Sequence, residues 1–281
     1  MNMRSLMGAG IGVLALGAAL PAAAQDSDYN DDWTGVYVGG SFGYGVQSND
    51  AGSFVQFDTN LDGEYNDTVR TVTGANAFSP GFCNGQSQGA TRAAGCTSDK
   101  DGFEYFARAG YDQQMGNFVV GIMGEFGRAE IRDSQTAFST TPANYVFNRE
   151  LDWQANVRGR AGYATNGALF YVAGGPSYAK IDREFTSTNG ANSFTEFGDD
   201  MLWGVSGGGG VEVKVTSNIT FGLEYMYSRF NDNDDNGVSV GRGTAPATNP
   251  FLLVNASGTD MRRTDTKFDY HGIRMTAGLR F

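Results

Sequence analysis

Eight segments of this chain alternate with a period of two, and neither face of that alternation suits a soluble core. They cover residues 34–46, 103–113, 118–131, 151–164, 168–181, 201–215, 219–229 and 268–281. Successive side chains leave a strand on opposite faces, so this period predicts β-strands. In 153–163, one face holds Trp153, Ala155, Val157, Gly159, Ala161 and Tyr163, and the other Gln154, Asn156, Arg158, Arg160 and Gly162. In the final segment, Ile273, Met275, Ala277, Leu279 and Phe281 oppose Arg274, Thr276, Gly278 and Arg280. A charged, glycine-rich face cannot form an apolar core. The apolar face must therefore meet lipid, with the polar face around a lumen.

The connections support this reading. Residues 114–117, 165–167 and 216–218 are tight, and Asn166-Gly167 is a strong hairpin signal. Residues 47–102, 132–150, 182–200 and 230–267 are long and rich in Asn, Asp, Ser, Thr and Gly. Alternating short and long connections mark an up-and-down antiparallel transmembrane β-barrel, with periplasmic turns and outer loops. Aromatics fall in two bands on the lipid parity. Tyr111, Phe118, Tyr163, Phe170, Phe221 and Phe281 lie by the short turns, and Tyr44, Phe126, Trp153, Tyr178 and Trp203 by the long loops. The expected fold is all-β with eight strands; a further hairpin around residues 54–57 and 68–72 would make ten.

Glycine makes up 41 of 281 residues against 6 prolines, which suits a narrow lumen better than a flexible linker. The net charge of -11 disfavours nucleic acid as partner. At the N-terminus, Arg4 precedes an apolar run that ends in Ala22-Ala23-Ala24. This pattern predicts a cleaved signal peptide over 1–24 and export. A short periplasmic segment over 25–32 and the barrel domain over 33–281 would follow.

Several strand motifs are shared with a known family. Arg158-Gly159-Arg160-Ala161-Gly162-Tyr163 followed by Tyr171-Val172-Ala173-Gly174-Gly175, the opening Trp33-Thr34-Gly35-Val36-Tyr37-Val38-Gly39 and the closing Gly278-Leu279-Arg280-Phe281 are the main ones. In these the chain closely resembles small outer-membrane barrels of Gram-negative bacteria, the opacity-like and OmpA-like proteins and porin-like surface antigens. The resemblance covers the strands and not the long loops. It implies an outer-membrane protein, with Phe281 as the signal read by barrel-assembly machinery. Pro176 departs from the family pattern. It lacks an N–H for the ladder, so a bulge or distortion is expected there.

Eight strands leave an interior that side chains fill. The charges assigned to it are Glu104, Arg108, Glu125, Asp152, Arg158, Arg160, Glu212, Glu224 and Arg274. Near-balanced charges in a narrow space predict a salt-bridge plug; a narrow gated ion path is the alternative. Arg128, Arg149, Lys180, Arg229 and Lys267 fall on the lipid parity at the long-loop ends. There they would either bind lipopolysaccharide phosphates or extend into water. Cys83 and Cys96 fit one loop disulfide in an oxidising compartment, with two free thiols as the alternative.

No catalytic, metal or cofactor site is expected. The single histidine, His271, has no adjacent serine, and a solvated or interfacial place suits it. The run from Asp232 to Gly237 starts like a calcium loop, but its twelfth position is Gly243 rather than Glu. The resulting expectation is a monomer with a structural role in the envelope and loops displayed for surface interaction. Its partners would be outer-membrane lipid, lipopolysaccharide, the barrel-assembly machinery and extracellular ligands of the loops. A small porin-like channel is the second reading and a lipid-modifying enzyme the third.

Overall fold

A computed structural model of the protein describes residues 32–47, 52–232 and 236–281. The expected signal peptide 1–24 and nearly all of the segment 25–32 lie outside the described residues. The strands in chain order are β1 (Gly35–Gln47), β2 (Val55–Asp58), β3 (Gly81–Asn84), β4 (Gly102–Met115), β5 (Phe118–Ala129), β6 (Arg132–Ser139) and β7 (Ala143–Thr165). They continue with β8 (Ala168–Ser187), β9 (Ser193–Phe197), β10 (Met201–Lys214), β11 (Ile219–Asn231), β12 (Gly237–Gly241), β13 (Thr259–Arg263) and β14 (Lys267–Arg280).

Eight of them close a barrel. The antiparallel circuit runs β1–β4–β5–β7–β8–β10–β11–β14 and returns to β1 through the pairing of Tyr37 with Arg280. The turn from β7 to β8 is Asn166-Gly167, with φ of +48° and +72°, the doubly positive pair of a type I′ hairpin. The alternation has its expected sense. In β5, Val120, Ile122 and Phe126 are 43–58% exposed, whereas Val119, Met123 and Glu125 are buried. The exposed side chains form the lipid-facing belt.

Pro176 does not produce a bulge. The β7–β8 ladder skips from Asn156↔Ser177 to Gly159↔Gly174 without a register shift. The missing N–H thus opens a short gap in the ladder. The register shift falls instead between Leu151 and Trp153, where Asp152 is the extra residue on β7.

Each of the four long connections contributes β-strand. The expected loop 132–150 is β6 and the upper part of β7, which rise beyond the belt beside the upper part of β8. A separate four-stranded sheet, ordered β2-β13-β12-β9, stands against them. β2 lies in the segment that could have made a ninth strand, but it pairs with β13 and leaves the barrel at eight. Val55, Phe57, Val238 and Met261 of this sheet share an apolar core with Ala137, Tyr145, Phe147, Phe78 and Phe251. These segments form a folded outer cap. Cys83 and Cys96 form a disulfide in it, next to the β3–β6 pairing.

Candidate functional site

The barrel axis is where strand parity concentrates the charged side chains. At mid-depth five carboxylates, Glu104, Asp112, Glu125, Glu212 and Glu224, meet five guanidiniums, Arg108, Arg158, Arg160, Arg274 and Arg280, all buried. Arg274 grips Glu104 through two 2.9 Å hydrogen bonds, from Nε and Nη2. Glu224 accepts from Tyr171 at 2.7 Å and from Arg108 at 3.3 Å, and lies 3.5 Å from Arg158 and 3.8 Å from Arg274. Glu125 is paired to Arg158, with Arg108 at 3.7 Å and Arg274 at 3.6 Å. Nearer the short turns, Arg160 joins Asp112 to Glu212 and lies between the rings of Tyr37 and Tyr171. Luminal glycines make room for these groups: a methyl on Gly121 would collide with the Asp112 carboxylate, and one on Gly272 with Glu104.

Uncharged groups flank the network at both ends. At the periplasmic end Trp33 is fully buried, with the Arg280 guanidinium 4.9 Å and the Lys214 ammonium 5.2 Å from its ring centroid. At the outer end Tyr270 and Gln154 are linked by a 2.7 Å hydrogen bond. Ile131, Leu151, Ile181, Leu202, Phe230 and Phe268 pack with Tyr270 into an apolar layer across the mouth. Parity alone led to a polar lumen throughout, yet these inward positions are apolar and close on one another.

Two of the expected site residues sit elsewhere, and the bulge at Asp152 explains both. Asp152 does not join the luminal network. As the extra residue it turns outward and pairs with Lys180 at 3.4 Å and Arg128 at 3.7 Å. Every side chain of β7 above it changes face, so Leu151 points into the apolar layer. Arg149, placed at the lipid rim by parity, is 2% exposed and holds Asp133, Asp232 and Asp265 together. This cluster joins the barrel mouth to the cap. Burial would raise the Asp133 carboxyl, but the Arg149 and Arg263 guanidiniums outweigh it and hold it near 2. Asp232 is likewise lowered by Arg149 and Arg183 against the effect of its burial.

The remaining rim residues keep their outward parity. Arg128 is exposed and Lys180 partly exposed, and the two are paired through Asp152; Arg229 is partly exposed and Lys267 exposed. His271 accepts from or donates to the Tyr225 hydroxyl at 2.6 Å through Nδ1, on the outward face. In the acidic run, Asp232 is buried beneath Arg149 and Arg183, and residues 233–235 lie outside the described residues. Asp112 and Arg280, which carry the luminal parity, join the network beyond the nine charges expected in it. Phe281 is exposed at the barrel end, its backbone N–H donating to Val36 at 2.9 Å.

Known proteins are similar to this chain in sequence and in strand architecture. A 22 kDa outer membrane protein of Rhizobium leguminosarum bv. viciae is 32% identical over 125 residues, 44% of this chain and 51% of that protein. A 25 kDa outer-membrane immunogenic protein of Brucella ovis is 26% identical over 144 residues, 51% of this chain and 63% of that protein. The chain therefore matches about half to under two thirds of these relatives' lengths. The crystal structure of OprG from Pseudomonas aeruginosa aligns with 88% of this chain and 96% of its own at a TM-score of 0.48 and 12% identity. The family profile of the outer membrane protein beta-barrel domain matches residues 12–281, and the chain belongs to that family.

Proposed function

We propose that this outer-membrane protein is a non-conducting, non-enzymatic barrel that contributes to envelope integrity and presents its folded cap as the interaction surface. The observation that carries this reading is the sequence of layers along the axis. A buried tryptophan, paired charges and an apolar layer follow one another, and an ion would have to displace each in turn. The pairing of opposite buried charges supports a structural plug, because an unpaired charge there is costly. Planar-bilayer recording on refolded protein tests it. A baseline without steps is expected; sustained nanosiemens openings would establish the channel reading instead.

Export by cleavage after Ala24 and recognition of Phe281 during assembly belong to the same reading. Intact mass of the protein from outer membranes should correspond to a chain starting at Gln25; a mass that retains residues 1–24 would contradict the export step. The rim cations Arg128, Lys180, Arg229 and Lys267 fit the phosphates of lipopolysaccharide, with Arg149 no longer among them.

A further inference from the structure

On the flank of the cap, beside the edge strand β2, lies a cleft of about 300 Å3, large enough for a small ligand. Phe57, Val69 and Phe78 are its buried floor, and the rings of Phe54, Tyr65 and Phe82 stand around it. Phe54 is 43% exposed although it lies beyond the membrane belt. Its ring centroid is 5.9 Å from that of Phe82, with the planes at 46°. The Arg262 guanidinium lies 4.0 Å over the Tyr65 ring and holds it in place.

The polar lining is uncharged apart from one carboxylate. Gln56 is half-buried and Asn66 and Asn76 are exposed, so their amides are open to a ligand. The Gln56 and Asn66 side chains make no hydrogen bond among the described residues, and Asn76 engages only Oδ1, which accepts from the Phe78 N–H at 2.8 Å. An amide sets donors and an acceptor side by side, which matches neighbouring hydroxyls. Asp67 accepts through Oδ2 from the Thr59 N–H at 2.8 Å and from its hydroxyl at 2.7 Å. No Lys or Arg lines the cleft, so nothing in it pairs with an anion. Rings and neutral amides together suit a ligand with an apolar face and a rim of hydroxyls. A pyranose is such a ligand, because its C–H groups are slightly positive and meet the negative face of an aromatic ring.

We propose that this cleft binds a neutral sugar, with one face of the pyranose on Phe54 and its hydroxyls on Gln56, Asn66 and Asn76. This ligand class rests on the cap being the interaction surface. The test is saturation-transfer NMR on the full protein in lipid nanodiscs, using the methyl glycosides of glucose, galactose, mannose and N-acetylglucosamine, with glucosamine and glucuronate as charged comparators. At least one neutral glycoside should bind, with saturation strongest at its ring C–H protons, and neither charged sugar should bind more tightly. Phe54→Ala removes an exposed ring and should weaken binding about threefold to tenfold. Gln56→Ala should weaken it about threefold. Neither residue belongs to the buried core, so both variants should keep the near-UV circular dichroism of the parent. Displacement by saccharide released from the same outer membrane would identify lipopolysaccharide as the source of the sugar; lack of displacement would assign it to a glycan of another surface. No binding of any neutral glycoside, tighter binding of a charged sugar, or affinity unchanged in both variants would overturn the proposal. Should the protein bind cell surfaces while no glycoside binds, the cap remains an interaction surface and the sugar is refuted.

Discussion

The barrel and the cap are built from one chain with opposite interiors. In the barrel, Ile122 and Phe126 point outward while Glu125 and Arg158 are buried. In the cap, Phe57, Val238 and Met261 are buried and polar loops face out. Both use the same two-residue period. What differs is the surrounding medium: lipid accepts the apolar face that water rejects, so the buried set is the polar one inside the membrane and the apolar one beyond it. The Asp152 bulge lies where one regime gives way to the other. Below it the inward face of β7 carries Arg158 and Arg160; above it that face carries Leu151 and then the Arg149 cluster.

The sharpest way to break the comparison is to spoil each interior in turn. Glu224→Ala leaves Arg108, Arg158 and Arg274 short of a shared partner and should cost the barrel about 3–5 kcal/mol. Urea unfolding in vesicles would read this loss. Phe57→Ala removes a ring that packs 4.4 Å from Phe78 and should cost the cap about 3 kcal/mol. If the two interiors are separate, limited proteolysis will clip the cap of this variant while the heat-modifiable gel mobility of the barrel stays unchanged. A shifted mobility would instead make them one cooperative unit.

Protons offer a gentler test of the same division. The Asp133 carboxyl is held near 2 against an ordinary value of 3.8, so its contribution to the cap is complete above pH 3.8 and fades as pH falls toward 2. The loss should be about 2 kcal/mol and should disappear in Asp133→Asn. Asp99 has the opposite sign. Burial, and then the charge of Asp133, push it up to about 6, so cap stability should decline as pH rises from about 4 to 6. Asp99→Asn should remove that decline, as cap proteolysis across the pH range would reveal. The smallest effect belongs to the rim. Arg128, Lys180, Arg229 and Lys267 changed together to Gln should leave barrel stability nearly unchanged, because exposed ion pairs are screened by water. The same variant should lose co-purifying lipopolysaccharide, and full retention would refute that role for the rim.

The barrel was readable because its period persists over a dozen residues at a time and lipid exposes every second one. Its charges are readable by the same parity, which Asp112 and Arg280 also carry. The bulge was not readable. Nothing about Leu151-Asp152-Trp153 announces an extra residue, and one such residue misplaced both Asp152 and Arg149. The cap was hidden for another reason. β2, β12 and β13 are short stretches within polar, glycine-rich sequence, and their apolar residues find partners only across the sandwich. The apolar layer at the mouth went unseen because Leu202, Phe230 and Phe268 sit at strand ends, where an inward-facing residue is easily taken for part of a loop.

The seam between β1 and β14 stands apart from the other barrel pairings. Every other barrel pairing joins strands that are neighbours along the barrel sequence, whereas this one brings Tyr37 to Arg280 and Gly45 to Gly272 from opposite ends of the described chain. Closing so long a loop is entropically slow, and an unclosed intermediate presents two bare strand edges. Glu104 and Arg274 face each other across that region, from β4 and β14. Their ion pair forms only with β14 seated against β1, so it acts as a molecular latch across the closed seam.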